Sequence, residues 1–217
     1  MRALAEAPQL LLHYTGIDYN FIMSWDYYGK EWPEVKPQVP FKQLPMMIVN
    51  DKHEICQSIA ILNFIENVAG LKLKNPIEEA KASSILQSAQ ELFLPLNPTV
   101  NFAVGDDFKK RRDDMIPFLI SRFEDLEKIL KSSEMKFFID DTPRACDFAA
   151  FHHLDLSKKL DNSLIRKFPR LEEFLNDINS IDTVKSYLSQ RPELIDVSIE
   201  PKLVIDGKAH STGTTKT

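Results

Sequence analysis

Apolar residues recur at intervals of three and four from Ala3 and Leu4 through Ala7, Leu10 and Leu11 to Tyr14, which predicts a helix over 2–15 with one buried face. Gly16 ends it. From Ile17 to Trp25 β-forming residues crowd together and predict a strand, followed by an aromatic loop with Trp25, Tyr27, Tyr28 and Trp32. Pro33, Pro37, Pro40 and Pro45 then argue against regular structure through most of the next stretch. Met46 to Val49 and His53 to Cys56 flank Asn50-Asp51-Lys52, residues that tolerate turn conformations, and predict a β-hairpin. Ile59, Leu62 and Ile65, with Ile61 and Phe64 beside them, keep helical spacing to Gly70, and Ser58 is placed to cap that helix.

After Leu71-Lys72-Leu73-Lys74 the pattern becomes almost wholly helical. This predicts an α/β domain over 1–74, an all-helical domain over 75–192 and an extension over 193–217. Asn75-Pro76-Ile77-Glu78 combines a cap, an N1 proline and an N3 glutamate, and leads a long helix through about Leu94. Met115, Phe118, Leu119, Leu126 and Ile129 mark another, with a kink expected at Pro117. Residues 145–160, 164–179 and 181–190 supply three more. In the extension, Val197-Ser198-Ile199 and Leu203-Val204-Ile205 flank Pro201, a pattern suited either to covering a pocket mouth or to packing on the surface. The small, polar residues from His210 onward predict disorder.

A chain of 217 residues, 43% hydrophobic, buries a core without metal or disulfide staples. Cys56 and Cys146 form no CxxC or Cys/His spacing and read as free, buried thiols of a reducing, cytoplasmic compartment. The net charge of −5 disfavours nucleic acid. The basic run Lys109 to Arg112 is bracketed by Asp106, Asp107, Asp113 and Asp114 and reads as a solvated helical face. No run approaches the roughly 18 apolar residues that span a bilayer, and no secretory leader is evident. Adjacent His152 and His153, and His53-Glu54 without a second histidine, give no metal-ligand pattern.

Trp32-Pro-Glu-Val-Lys36, Val39-Pro-Phe-Lys-Gln-Leu-Pro45, Cys56-Gln57-Ser58-Ile59-Ala60-Ile61, Ala145-Cys-Asp147-Phe148 and Phe168-Pro-Arg-Leu171 together resemble the glutathione transferases, most closely the sigma class, which includes the haematopoietic prostaglandin D synthases. The resemblance covers about residues 2–192. It implies a thioredoxin-like domain followed by a helical bundle, a cytoplasmic homodimer, glutathione as co-substrate and an apolar electrophile as second substrate. Pro45 is then a cis proline, and Leu44 pairs its backbone with the cysteinyl unit of glutathione. Gln57 and Ser58, at a helix N-terminus, hold the γ-glutamyl end, while Trp32, Lys36 and Gln43 face the glycine end. Glu91 is placed to reach the glutathione amine of a neighbouring subunit. Taken singly, Ser58 is equally a plain cap, Trp32 a packing residue and Lys36 a solvated lysine. Phe93, Leu94 and Leu96 are candidates for the electrophile pocket.

Two departures stand out. Asp147 matches a buried aspartate that caps a central helix, but Arg144 occupies the position of the reciprocal Ser or Thr, leaving Thr142 as a substitute. Aligning Arg2-Ala-Leu-Ala-Glu6 with the family's first helix also places the first strand, and the tyrosine that activates the thiol, before Met1. Deleting that inner strand would separate its neighbours by roughly 9.6 Å. The sequence therefore reads as a shortened copy of a catalytic transferase, with a non-catalytic binding or structural protein and a glutathione-dependent isomerase as rivals. Tyr27, Tyr28 and Tyr14 are poorly placed to replace the tyrosine. Cys56, just before Gln57, is a further candidate for thiol chemistry, although its strand-end position predicts burial.

Overall fold

A computed structural model describes residues 3–191, 202–205 and 208–211. The first helix, α1 (Glu6–Thr15), begins later than predicted because Ala5 at its N-cap offers no side-chain acceptor, and it ends at Gly16 with φ 69°. The strand predicted after it does not form. Ile17 and Tyr19 turn toward the core while Asp18 and Asn20 face out, as a strand would alternate, but the segment has no strand beside it among the described residues. A strand needs a ladder, whatever its side chains favour.

The aromatic loop and the proline-rich stretch are more regular than predicted. They fold into α2 (Ser24–Tyr28), α3 (Trp32–Val35) and two 3-10 turns, Lys36–Gln38 and Pro40–Lys42. Pro33, Pro37 and Pro40 occupy the first positions of these turns, where a missing N–H costs nothing, so the prolines set where each turn starts. Val35 and Val39 anchor the stretch to the interior. The Leu44–Pro45 bond is cis. The predicted hairpin is present as β1 (Met46–Val49) and β2 (His53–Cys56), antiparallel with Met46 opposite Cys56 and Val49 opposite His53. Asn50 and Asp51 carry the positive φ values of the turn. Helix α4 (Ser58–Val68) follows and completes a thioredoxin-like half with a short two-stranded sheet.

The helical half contains α5 (Pro76–Glu91), α6 (Phe93–Phe102), α7 (Gly105–Ser133), α8 (Ala145–Ser157), α9 (Asn162–Ile165), α10 (Pro169–Asn179) and α11 (Asp182–Gln190). The helix predicted through Leu94 ends at Glu91, and α6 is an additional element that accommodates Pro98 in its interior. Helix α7 starts well before Met115 and runs on through Pro117. Its first turns are built on the charged run, with Lys109–Asp106 at 3.1 Å, Arg111–Asp107 at 2.8 Å and Arg112–Asp113 at 2.9 Å, a solvated face that apolar spacing does not reveal. The helix predicted over 164–179 divides into α9 and α10, because Pro169 has no N–H to continue the first and its ring favours an extended Phe168. Helix α8 is the buried axis of the molecule: Phe148, Phe151 and Leu154 are inaccessible, and α1, α5 and α10 pack around it.

Two strands, β3 (Lys202–Ile205) and β4 (Lys208–Ser211), form an antiparallel hairpin with Lys202 opposite Ser211, and β3 approaches α6. His210 and Ser211, predicted to begin a disordered tail, therefore lie in a strand; pairing supplies backbone partners that composition does not anticipate. Val197-Ser198-Ile199 lies outside the described residues.

Polar side chains tie the halves together. Asp147 accepts from the N–H groups of Phe138 at 3.0 Å and Arg144 at 2.8 Å, one arm of the expected cap. The other arm is missing, because a guanidinium has no acceptor, and the Thr142 N–H is itself committed to Asp140. Glu66 of α4 takes over: its Oε1 accepts from the Ala145 N–H at 3.1 Å, capping α8 from across the domain boundary. The Arg144 guanidinium donates back to the Leu71 carbonyl and to Asp140.

Candidate functional site

Helix α4 enters its first turn without a side-chain cap. Gln57 occupies the N-cap with φ 71° and makes no capping bond, and the Ser58 hydroxyl has no hydrogen-bond partner among the described residues. Ser58 is thus the first helical residue and not the predicted cap, although it is only 5% exposed. Helix geometry leaves the N–H groups of Ser58, Ile59 and Ala60 without intrahelical acceptors; the Ile61 N–H is the first to close back, on the Gln57 carbonyl at 3.0 Å. Uncommitted donors and the positive end of the helix dipole suit this point to a carboxylate.

These donors open onto a narrow cleft lined by Leu4, Phe41, Gln43, Leu44, Pro45, Cys56, Gln57 and Ser58, enclosing about 10 Å³, the space of one water. Five predicted site residues, Gln43, Leu44, Pro45, Gln57 and Ser58, thus meet on one surface. The Gln57 amide donates to Gln43 Oε1 at 3.4 Å, bridging the cleft from the helix side to the proline loop. Leu4 and Phe41 were not singled out from sequence. Leu4 arrives from just before α1, and only its helical spacing ties it to the interior. Phe41 sits at φ 57° in the turn before the cis proline, with no sequence pattern to announce it.

Trp32 and Lys36 are not among the lining residues; Trp32 is half-buried at the start of α3, and Lys36 is exposed one turn on. Glu91 ends α5, exposed, and pairs with Arg122 at 3.5 Å. Helix α6 sends Phe93, Leu94 and Leu96 in different directions: Leu96 into the core, Leu94 into solvent and Phe93 toward the His153 ring at 6.2 Å. Cys56 is half-buried, not buried as predicted, because β2 ends at the cleft. Burial, with the Glu54 carboxylate second, pushes its thiol up.

None of the five tyrosines lines the cleft. Tyr14 packs on Phe148, Tyr19 bonds His13 at 3.0 Å, Tyr27 and Tyr28 stack edge to face, and Tyr187 donates to Glu6 at 3.0 Å. A wider depression of about 550 Å³ lies between α7 and the start of α10, lined in part by Lys128, Lys131 and Lys167. Its buried carboxylate, Glu127, is already spent on the N–H groups of Arg170 and Leu171 and on Lys131. No helix among the described residues is long and apolar enough to cross a membrane.

A thioredoxin-like half that offers uncapped helix donors across from a cis-proline loop, joined to an all-helical half, defines the architecture of glutathione-dependent transferases. The comparisons agree. The family model described as glutathione S-transferase, N-terminal domain, matches residues 1–67, and the one described as glutathione S-transferase, C-terminal domain, matches residues 97–191. The chain is 26% identical over 197 residues to probable glutathione S-transferase 6 of Caenorhabditis elegans and 27% identical over 195 residues to the hematopoietic prostaglandin D synthase of Gallus gallus, covering 89% of this chain and 94% of the relative in each case. A solved monomeric glutathione S-transferase from the hookworm Necator americanus superposes with a TM-score of 0.77 at 27% identity, over 89% of this chain and 94% of that one. The chain belongs to the glutathione S-transferase family.

Proposed function

We propose that this protein is a glutathione transferase that holds glutathione along the α4 cleft and delivers its sulfur to an apolar electrophile. The observation that carries the reading is the uncapped α4 N-terminus opening onto a cleft whose far wall is Leu44–Pro45. In this assignment the γ-glutamyl carboxylate meets the N–H groups of α4 and the Ser58 hydroxyl, and the Leu44 backbone pairs with the cysteinyl unit as an added strand would. Gln43 and Gln57 flank the peptide, with Trp32 and Lys36 toward the glycine end. The enclosed space is small, so the tripeptide lies along the cleft with its ends reaching in.

Glutathione's thiol titrates near 8.5, so catalysis at neutral pH requires a group that stabilises the thiolate. The absence of a tyrosine from the cleft favours, as second reading, a protein that binds glutathione without turning it over. Titration calorimetry with glutathione, followed by a conjugation assay with an aryl halide, tests both. Binding with turnover supports the transferase, binding alone supports the second reading, and no binding refutes the assignment of the cleft.

We place the division between the halves at Lys74/Asn75, just before the Asn75 side chain caps α5 through the Ile77 N–H at 2.9 Å. We also propose a cytoplasmic homodimer in which Glu91 approaches the partner's glutathione. The exposure of Phe41 and Leu94, at 71% and 77%, supports an apolar contact surface, and sedimentation of the purified chain tests it.

A further inference from the structure

Cys56 ends β2, and its position lines the cleft beside Gln57 and Ser58. It is a free, half-buried thiol. Two residues on, Ser58 is 5% exposed and its hydroxyl has no partner among the described residues, so a deeply set polar group in the same cleft waits for a ligand. We propose that Cys56 is a site of reversible mixed-disulfide formation with glutathione, made by exchange with glutathione disulfide bound in the cleft. The inference rests on the reading of the cleft as a glutathione site.

In the exchange the Cys56 thiolate attacks one sulfur of the bound disulfide. The original S–S bond breaks, a Cys56–glutathione disulfide forms, and the other half leaves as a thiolate that takes up the proton Cys56 released. Cys56 is oxidised and the departing half reduced, so no other oxidant enters. Because burial and Glu54 hold the thiol in its protonated form, Cys56 reacts slowly with disulfides that merely collide with it. Holding the disulfide in the cleft raises its effective concentration at the sulfur and supplies selectivity. Cys146 is fully buried, with its thiol pushed well up by burial and by Asp147, and serves as an internal control. The adduct fills the cleft, so modified protein is closed to glutathione until a thiol removes it.

The test compares glutathione disulfide with hydroxyethyl disulfide, at equal concentration and across pH 7 to 9, by acid quench, intact mass and peptide mapping. Expected is a single glutathionyl adduct on Cys56, none on Cys146, forming about tenfold or more faster than the hydroxyethyl adduct, and slowed selectively by Ser58→Asp. Equal rates for the two disulfides, or an adduct on Cys146 with Cys56 untouched, overturn the proposal. Calorimetry with glutathione on the wild type and on Cys56→Ser separates the two layers. If both bind while Cys56 stays unmodified, only this inference fails; if neither binds, the reading of the cleft fails and takes the inference with it.

Discussion

Glu6 and Arg191 stand 185 residues apart and form a buried ion pair that joins α1 to the end of α11. Arg191 also reaches Asp155 of α8 at 2.8 Å, and Tyr187 donates to the second Glu6 oxygen at 3.0 Å. Removing the arginine leaves Glu6 charged and without its cation in a place water barely reaches. Arg191→Ala is expected to cost about 3 kcal/mol, and Tyr187→Phe about 1 kcal/mol, in urea unfolding. Equal, small losses from both would show that water already shares the pair.

His153 gives the fold an acid sensitivity. Burial first, then neighbouring His152, holds its pKa well below 6.5, and its Nε2 meets Gln90 Oε1 at 3.4 Å. As pH falls below 6.5 the unfolded chain takes up a proton that the folded chain refuses, so stability declines through that window. Asp147 works the other way: burial outweighs its two backbone donors and pushes it up to about 6, so between about 6 and 3.8 the folded state binds the extra proton. Replacing His153 with Gln leaves the Asp147 contribution in place. The variant is expected to lose less stability than wild type between pH 7.5 and 5.5, and parallel pH profiles would refute the assignment.

Ser58 carries opposite signs for stability and binding. Ser58→Ala is expected to weaken glutathione about tenfold, roughly 1.4 kcal/mol, with little change in melting temperature. Ser58→Asp puts a carboxylate into the first turn of α4, where it adds about 0.5 kcal/mol to the helix and repels the ligand's carboxylate. A melting temperature that rises as calorimetric binding disappears is the expected pattern. If Ser58→Asp binds as well as wild type, the γ-glutamyl end does not sit there.

The Glu66 carboxylate matters as an acceptor more than as a charge. Burial raises its pKa, while the Ala145 N–H and Arg144 partly offset this. Glu66→Ala strands the first N–H of α8 and is expected to cost about 2 kcal/mol. Glu66→Gln keeps an oxygen in place and should lose less than half of that. Comparable losses in urea melts would mean that the charge, and not the acceptor, is what α8 needs.

Apolar spacing made most helices legible, and the motif around Pro45 and Gln57-Ser58 located the cleft before any coordinates. Local pattern failed where the outcome depended on a distant partner. Ile17 to Met23 has the composition and alternation of a strand, but only a neighbouring chain segment makes one. Glu66 looked like any polar residue near a helix end, because its acceptor role appears only once α8 is brought beside it. The start of α7 was hidden for the converse reason: its first turns are held by Asp and Lys or Arg pairs and offer little apolar period to read. Trp32 and Lys36 match the family pattern in spacing, yet the chain fold sets them outside the cleft lining.

Helix α4 presents its first turn to the cleft and, eight residues on, lends Glu66 to the other half of the molecule. The two halves are therefore not interchangeable parts. A hybrid grafting residues 1–74 onto the helical portion of a relative would inherit a buried carboxylate aimed at a helix start that already carries its own serine or threonine cap, while the donor's partner half would lose the only cap its α8 possesses. Recombination within this family is thus constrained at the seam by a single shared proton donor, and successful hybrids of this chain should be those that exchange Glu66 and Arg144 together.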